Sequence, residues 1–357
     1  MKVLITAPSL DPKKNVSGIS TVVRNIISAN PTHQYIHYLL GRPDGPSSTF
    51  SLLLSQIKQL FLFPFFIKKN DVDIVHQNLP FNPKGLLREY IINLWCKLLD
   101  IPVLLHIHGG VFLMDGTTNR MYQYIASSIF KNSKSIIVLS ELEKEALSKN
   151  FNFHNSYALP NSINISMFSF SKNEFSNMPT FLFLGRIHES KGIDDIFNAL
   201  TLLISKNMTF RFILCGNGPL KDEYIKKFKD LMKDNFEYLG VVDGKLKVEI
   251  MKRSNFFLLP SRYGEGLPMA LLETMSVGLI PIVTDDASMK TLVKDKYNGF
   301  KVNKSDYEDL ARVIGEAINH RELLDNISSN ASLTIYTSYN IIDYIERLND
   351  FYGKAAS

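Results

Sequence analysis

The segment PSRYGEGLPMALLETMSVG, residues 260–278, carries signals for three successive structures. Four apolar residues, 256–259, precede it and predict a buried strand. The Gly-Glu-Gly triplet at 264–266 interrupts regular structure, and from Pro268 the apolar residues recur at helical spacing. The segment therefore predicts a strand, a glycine-containing loop and a helix N-terminus. This arrangement directs free backbone N–H groups toward an anion such as a phosphate.

Two carboxylates bracket the helix start, with Glu265 in the loop and Glu273 in the helix. A carboxylate can accept two hydrogen bonds from a vicinal diol, which sugars and ribose both offer. The segment EGLPMALLE resembles the E-x7-E segment of retaining glycosyltransferases of family 4, which have the GT-B fold. The resemblance implies that Glu265 contacts the transferred sugar, that Glu273 holds the nucleotide ribose, and that Gly266 and Leu267 line the donor site. The alternative is a solvated loop carboxylate and an ordinary helix carboxylate.

Composition is that of a soluble globular protein of about two domains. The chain has 357 residues, of which 45% are hydrophobic and 21% charged. Two cysteines, Cys96 and Cys215, lie in apolar surroundings and indicate neither a disulfide scaffold nor a metal site. Residues 1–9 contain one lysine and a short apolar run, which predicts a buried strand rather than a signal peptide. The cytoplasm is therefore the expected location.

Charge and hydrophobicity are uneven along the chain. Residues 1–165 carry a net charge of +6 and residues 166–357 a net charge of −1. A basic first half suits an anionic partner such as a phosphorylated lipid, and no nucleic-acid motif is present, so no nucleic-acid partner is expected. Residues 50–69 contain FLFPFFI beside lysines. They predict either an amphipathic helix lying on the inner face of the cell membrane, or a helix of the core or of an interface.

A second strand–glycine–helix pattern occurs near the N-terminus. Residues 2–8 predict a strand, and Gly18 stands where the next helix begins. This pattern is typical of either an anion site at a helix start or a simple helix cap. The resembling family usually has paired glycines here, whereas this chain has Ser17 and Gly18, so the resemblance implies donor binding by Gly18 alone.

A histidine marks the end of another predicted strand. Residues 73–76 predict one short strand and residues 103–108 the next, which ends before Gly109. Open α/β sheets bind ligands at such strand ends. The family has a His-Gly pair here, with the histidine near the transferred sugar and the β-phosphate. The resemblance therefore implies a catalytic role for His108 and donor binding by Gly109, while His106, on the same strand face, is assigned to the core.

Two cations follow the first strand of the second half. Residues 181–184 predict a strand, and residues 185–192 form a loop before a helix. The spacing of Arg186 and Lys191 is similar to the family's GR…KG pattern, in which both cations bind the donor diphosphate. A leaving diphosphate gains negative charge, so fixed cations at a helix start would stabilise it independently of any resemblance. The alternative is two solvated loop cations.

Together these patterns predict an α/β protein of GT-B type, with two doubly wound Rossmann-like domains facing a central cleft. We expect an N-terminal, acceptor-side domain over 1–165 and a C-terminal domain over 166–340 that binds the nucleotide-sugar donor. The last helix, within 341–357, is expected to pack back on the first domain.

The resemblance implies a retaining, hexosyltransferase-like enzyme. It would move a sugar from a nucleoside diphosphate sugar to a glycan or lipid-linked acceptor by front-face displacement. The expected setting is assembly of bacterial lipopolysaccharide, capsule or exopolysaccharide. No metal or cofactor is expected, because Arg186, Lys191 and a helix end would neutralise the diphosphate. Two alternatives remain: a non-catalytic donor-binding scaffold subunit of a glycan-assembly complex, and a nucleotide-sugar epimerase or phosphorylase on the same fold.

Overall fold

The computed structural model describes residues 1–15, 17–41, 49–170, 178–263, 265–319 and 321–356. Gly264 and part of the predicted linker, 171–177, lie outside the described residues, as do the side chains of residues 49–53 and 321. The chain forms two compact units. The first consists of Met1–Asn161 with the C-terminal helix, and the second of Ser162–Asn340.

The first unit is a parallel six-stranded sheet with helices between its strands. Its strands are β1 (Lys2–Ala7), β2 (Gln34–Leu39), β3 (Ile74–Leu79), β4 (Val103–Ile107), β5 (Ser135–Val138) and β6 (Tyr157–Ala158). Its helices are α1 (Gly18–Ala29), α2 (Thr49–Asn70), α3 (Pro83–Leu98), α4 (Val111–Asp115), α5 (Arg120–Asn132) and α6 (Glu141–Phe151), followed by the C-terminal helix at the chain's end. The strand order is β2-β1-β3-β4-β5-β6. Because helices cover both faces of such a sheet, β3 and β4 are buried along their whole length.

Strand β3 is longer than predicted, and the predicted end at His76 was wrong. The strand continues through Gln77 and Asn78, two polar residues that in sequence look like a loop. Both are buried because each finds partners in the fold: Gln77 donates to the Glu89 carboxylate at 3.0 Å, and Asn78 donates to the Thr6 carbonyl at 2.7 Å.

Helix α2 has two apolar faces, and the core interpretation of residues 50–69 is correct for only one of them. Phe63 and Ile67 are buried against the sheet and α3. On the opposite face Phe61 is 67% exposed and Phe65 is 72% exposed. The helix therefore contributes to the core and also presents a hydrophobic surface.

The second unit repeats the same architecture. Its strands are β7 (Thr180–Leu184), β8 (Arg211–Cys215), β9 (Phe236–Gly240), β10 (Phe256–Leu259), β11 (Ile280–Thr284) and β12 (Phe300–Val302). Its helices are α7 (Ile193–Ser205), α8 (Lys221–Met232), α9 (Gly244–Lys252), α10 (Met269–Ser276), α11 (Met289–Leu292), α12 (Tyr307–Asn319) and α13 (Arg321–Ser338), after which α14 (Ile341–Ala356) is the C-terminal helix of the first unit.

All neighbouring strands of the second sheet are parallel, in the order β12-β11-β10-β7-β8-β9. In a doubly wound sheet the chain adds strands first on one side of the starting strand and later on its other side. The observed order follows this rule, with β8 and β9 on one side of β7 and β10, β11 and β12 on the other. The prediction of two doubly wound parallel sheets is confirmed.

Candidate functional site

The order of strands in the second unit creates a topological switch point between β7 and β10. From β7 the chain continues to β8 on one side, whereas β10 leads to β11 on the other. Ligands of doubly wound sheets bind beside the carboxyl ends of the two strands at such a point. The loops that leave these ends are 185–192 and 260–268, and they carry the predicted donor-binding residues of this unit except Glu273, which lies in α10.

Close packing holds the two loops against each other. The Arg262 N–H donates to the Ser190 carbonyl at 2.9 Å. Gly192 has a φ of +69°, and a Cβ added to it would lie 2.0 Å from the Pro260 carbonyl oxygen. Only glycine meets both conditions, since a side chain would strain the backbone and push the loops apart. The glycine that follows Lys191 therefore fixes the distance between the loops.

The Arg262 side chain ties the second loop to the helix that follows the first. Its guanidinium group donates to both carboxylate oxygens of Asp195, each at 2.8 Å, and to Asp194 at 3.1 Å. The hydrogen bonds to Asp195 are the largest cause of the raised pKa of Arg262. Such a two-pronged contact fixes orientation as well as distance. Arg262 thus holds the loop in place beside the N-terminus of α7.

Lys191 and Glu265, which were predicted from separate motifs, form an ion pair with each other. The Ser261 hydroxyl donates to the same carboxylate oxygen of Glu265 at 2.7 Å. The Glu265 side chain is 9% exposed and that of Lys191 is 25% exposed, so water screens this pair only partly. The structure thus brings the predicted diphosphate-binding cation and the predicted sugar-binding carboxylate to one point.

Glu273 has a second lysine as its partner. Lys247, at the start of α9, donates to the Glu273 carboxylate at 2.8 Å, and both side chains are largely buried. One oxygen of Glu273 is therefore engaged by a cation, which keeps the carboxylate in a fixed orientation. The remaining members of this set lie nearby in the chain: Arg186 is exposed just after the end of β7, and Gly266 and Leu267 are buried just before α10.

In the first unit, His108 follows β4 directly and its backbone N–H still bonds to the neighbouring strand, at Leu79. Its Nε2 lies 2.6 Å from the Asn78 side-chain oxygen. The ring is partly buried, and burial lowers the pKa of His108 to about 3. At neutral pH the imidazole is therefore uncharged.

A buried row of rings lies behind His108. The ring of His106 is 3.9 Å away from that of His108, centroid to centroid. His106 bonds to His76 on β3 at 3.2 Å, and His76 bonds to the Tyr352 hydroxyl of α14 at 2.6 Å. His106 is therefore a core residue as predicted, and its Nδ1 shares a hydrogen bond with the neighbouring strand β3.

The two predicted glycine positions of the first unit differ in their surroundings. Gly109 is buried with a φ of +71° and accepts a hydrogen bond from the Phe81 N–H at 3.0 Å. Gly18 is exposed at the first position of α1, and a Cβ added there would meet nothing within 4 Å. The backbone conformation explains the glycine at 109. Nothing in the packing requires a glycine at position 18. The space that a side chain would occupy there is open, beside the start of α1.

Sequence interpretation missed three residues of this arrangement. Arg262 lies within the loop 260–268, so its place beside the motif residues was an available signal. Asn78 shares the strand alternation of His76, but the strand was ended too early. Lys247 precedes Glu273 by 26 residues and belongs to another element, so no local pattern links the two.

The described residues contain neither a cluster of metal ligands nor a membrane-spanning helix. Among them, no three His, Cys, Asp or Glu side chains are placed to hold a metal ion. Within the same parts of the chain, no helix combines the length and the apolar character that crossing a membrane requires.

Comparisons with known proteins bear on the fold and on the class of protein. Residues 165–334 match the family model of glycosyl transferases group 1. The chain is 24% identical over 372 residues to UDP-Gal:alpha-D-GlcNAc-diphosphoundecaprenol alpha-1,3-galactosyltransferase of Escherichia coli, covering 94% of each chain. Its fold is similar to that of sucrose-phosphate synthase from Thermosynechococcus elongatus, with a TM-score of 0.81, 15% identity and all of both chains covered.

A further similar structure is that of Anabaena HepE in complex with UDP-glucose, with a TM-score of 0.78, 16% identity and 99% of each chain covered. At these identities the structural likeness shows the shared fold. The match of residues 165–334 to the model of glycosyl transferases group 1 supports glycosyl transfer as the class of activity. The findings together support a glycosyltransferase of the GT-B fold.

Proposed function

We propose that this protein is a retaining glycosyltransferase of family 4 that moves a sugar from a nucleoside diphosphate sugar to an acceptor hydroxyl. The observation that carries the proposal is the contact between Lys191 and Glu265 at the switch point of the second sheet. A cation suited to a diphosphate and a carboxylate suited to a sugar meet there, beside the N-terminus of α10.

The leaving diphosphate is the group that this site would stabilise. Lys191 is now neutralised by Glu265, and a diphosphate offers it more negative charge than one carboxylate does. Exchange of partners would place the ammonium group on the phosphate and release the carboxylate for a sugar hydroxyl. Arg186 at the end of β7 would add a second cation. Since charge grows on the diphosphate as the bond breaks, both cations act most strongly in the transition state.

We propose that the reaction proceeds without an enzymic nucleophile. In the proposed front-face route the leaving phosphate itself takes the proton of the acceptor hydroxyl. Glu265 and His108 would orient the sugar, and the negative charge of Glu265 would stabilise the positive charge that develops at the reacting carbon. We propose that no metal or cofactor is needed, because the two loop cations and the start of α10 neutralise the diphosphate.

The printed names of the similar proteins suggest which substrates to test first. HepE was solved with UDP-glucose, and the Escherichia coli relative is named for a UDP-galactose donor and a diphosphoundecaprenol-linked acceptor. We propose a UDP sugar as donor and a lipid-linked glycan as acceptor, in bacterial surface glycan assembly.

The first prediction is a donor screen of the purified chain. One nucleotide sugar should release its diphosphate faster when acceptor is added, equally well with a chelator present, and the product should keep the anomeric configuration. Lys191→Ala should weaken donor binding by about 10- to 100-fold, because one charged hydrogen bond is lost. The matched control is Lys206→Ala, at the far, exposed end of the helix that follows Lys191.

Other outcomes of the screen point to the alternatives. Donor binding without turnover would indicate a scaffold subunit, and interconversion of nucleotide sugars without acceptor would indicate an epimerase. Sugar release by inorganic phosphate would indicate a phosphorylase. Activity that disappears in chelator and returns with magnesium or manganese would contradict metal independence.

We also propose that the exposed face of α2 rests on an anionic membrane surface, which would bring the enzyme to a lipid-linked acceptor. Leu54, Phe61 and Phe65 recur at helical spacing and are each more than half exposed, and the exposed lysines of this helix flank them: Lys58, Lys68 and Lys69. Leu98, at the end of the neighbouring α3, is 74% exposed. Apolar side chains between basic ones suit the boundary between acyl chains and anionic headgroups.

The second prediction tests this surface by co-sedimentation. The chain should bind vesicles containing phosphatidylglycerol at low salt, less at high salt, and phosphatidylcholine vesicles weakly. The double variant Phe61→Ser/Phe65→Ser should bind at least about 100-fold more weakly, since each phenylalanine contributes roughly 1.5–3 kcal/mol when fully buried. Leu333→Ser is the control, because Leu333 is an exposed apolar residue of the second unit. Equal binding by the double variant would remove α2 from any membrane contact.

A further inference from the structure

Asn78 lies where β1, β3 and β4 run side by side. Its side chain is 3% exposed and is held on both sides. Toward β1, Nδ2 donates to the Thr6 carbonyl at 2.7 Å, and the backbone N–H donates to the Thr6 hydroxyl at 3.1 Å. Toward the end of β4, Oδ1 lies 2.6 Å from Nε2 of His108.

The contact with Thr6 decides which way the Asn78 amide points. If the amide were turned over, its oxygen would face the Thr6 carbonyl oxygen, and two acceptors would meet in a buried site. The nitrogen must therefore face Thr6, and the oxygen must face His108. An amide oxygen can only accept, so Nε2 of His108 must carry a proton.

The protonation state of the second ring nitrogen, Nδ1, follows from the charge of the ring. Burial lowers the pKa of His108 to about 3, so the ring carries a single proton at neutral pH. The groups that face it are uncharged as well. His106 lies 3.9 Å away, ring to ring, and His76 lies behind it, and burial lowers the pKa of both. With the proton on Nε2, Nδ1 bears a lone pair.

We propose that Asn78 is a positioning residue that holds His108 as the Nε2–H tautomer, so that His108 meets the substrate as a hydrogen-bond acceptor through Nδ1 and not as a proton donor. The role in turnover rests on the proposed function, in which His108 lies near the reacting sugar. The ligand group that this acceptor fits is a hydroxyl of the sugar. An imidazole with a fixed tautomer needs no rearrangement when the hydroxyl arrives, which favours a pre-formed site.

The tautomer can be read directly in the full chain labelled with ¹⁵N-histidine. Long-range ¹H–¹⁵N spectra distinguish protonated from unprotonated ring nitrogens, and the signals of His108 are those missing from the spectrum of His108→Gln. Between about pH 6 and pH 8 we expect Nε2 protonated and Nδ1 unprotonated. Asn78→Ala should mix the two tautomers, because it removes the acceptor that faces Nε2. A protonated Nδ1 in the wild type, or an unchanged spectrum in Asn78→Ala, would overturn the proposal.

Kinetics add the functional half of the test. Asn78→Ala should lower kcat by about 10-fold, the effect of one ordinary hydrogen bond, with little change in donor KM. The matched control is Asn93→Ala, since Asn93 is also a buried asparagine but bonds to Gln77 on the other face of β3. An equal loss of kcat in both variants would show that Asn78 matters only for the fold. If the wild type transfers no sugar at all, the proposed function fails, and the spectra still decide the role of Asn78.

Discussion

Glu265→Gln should lower kcat by about 100-fold and leave donor KM nearly unchanged. In the proposed reaction the carboxylate faces a carbon that becomes positive as the bond breaks, and loss of one such preorganised charge lowers kcat by roughly 100- to 1,000-fold. Donor binding should not weaken, because Lys191 loses its present partner and is freer to contact a diphosphate. The neutral amide keeps the size of the side chain and an acceptor for the Ser261 hydroxyl.

Glu273→Gln is the matched variant and should behave differently. Its proposed partner is the ribose, which is bound equally before and during the reaction, so donor KM should rise by about 10-fold with kcat retained. Because the change leaves the largely buried Lys247 with the half-exposed Asp243, 3.8 Å away, in place of its close contact with Glu273, a thermal unfolding curve must accompany the kinetics. The double variant Lys247→Met/Glu273→Gln removes that weakly paired charge and separates stability from binding.

Steady-state kinetics at saturating acceptor decides between three outcomes. A lower kcat in Glu265→Gln together with a higher donor KM in Glu273→Gln supports the assignment of Glu265 to the sugar and of Glu273 to the ribose. The reverse pattern would mean that the two carboxylates have exchanged roles. Two variants with wild-type kinetics would show that both are ordinary surface or structural carboxylates, and the proposed site would have to be abandoned.

Acid should unfold the first unit at a pH at which most carboxylates are still charged. Burial lowers the pKa of His76 to about 3 and that of His106 well below its ordinary value of 6.5, and both side chains are fully buried. Below about pH 6.5 these two histidines therefore bind protons in the unfolded chain but stay neutral in the folded chain. The stability contributed by these two neutral rings is complete above pH 6.5 and is lost as the pH falls from there toward 3.

The size of this loss of stability follows from the difference in proton binding between the folded and the unfolded chain. Each ring contributes about 2 kcal/mol between pH 8 and pH 5, so the two together should lower the free energy of unfolding by about 4 kcal/mol. His108 adds a contribution of the same sign, which its partial exposure makes smaller. The single tryptophan of the chain, Trp95, lies in α3 of the first unit, so its fluorescence in urea titrations reports this unit alone.

His106→Leu supplies the control for the acid experiment. Nε2 of His106 is buried without a hydrogen-bond partner among the described residues, and Nδ1 bonds to His76 at 3.2 Å, so an apolar side chain of similar size removes the ring and this one hydrogen bond. The stability of the variant is therefore compared between pH values and not with the wild type at one pH. The variant should lose about half of the pH dependence, roughly 2 kcal/mol. A wild-type unfolding free energy that stays constant down to pH 5 would contradict the burial of neutral histidines in this sheet.

The sequence by itself determined the local elements and the chemical type of the site. Strand ends followed by glycines predicted the loops at 185–192 and 260–268, because glycine is the residue that tolerates such turns. The alternation of strands and helices predicted parallel sheets, and parallel strands present all their carboxyl ends at one edge. The loops that carry Lys191 and Glu265 could therefore be assigned to a common edge before any contact was known.

Only the tertiary structure decided which of these residues meet. Strand order places β10 beside β7, so Lys191 and Glu265, 74 residues apart, form an ion pair. The same is true of Lys247 with Glu273, and of Asn78 with His108. Hydrogen bonds between strands and contacts between side chains join residues distant in the chain, and local periodicity carries no information about such partners. For the same reason the buried polar end of β3 looked like a loop: its partners, Thr6 and Glu89, lie on other elements.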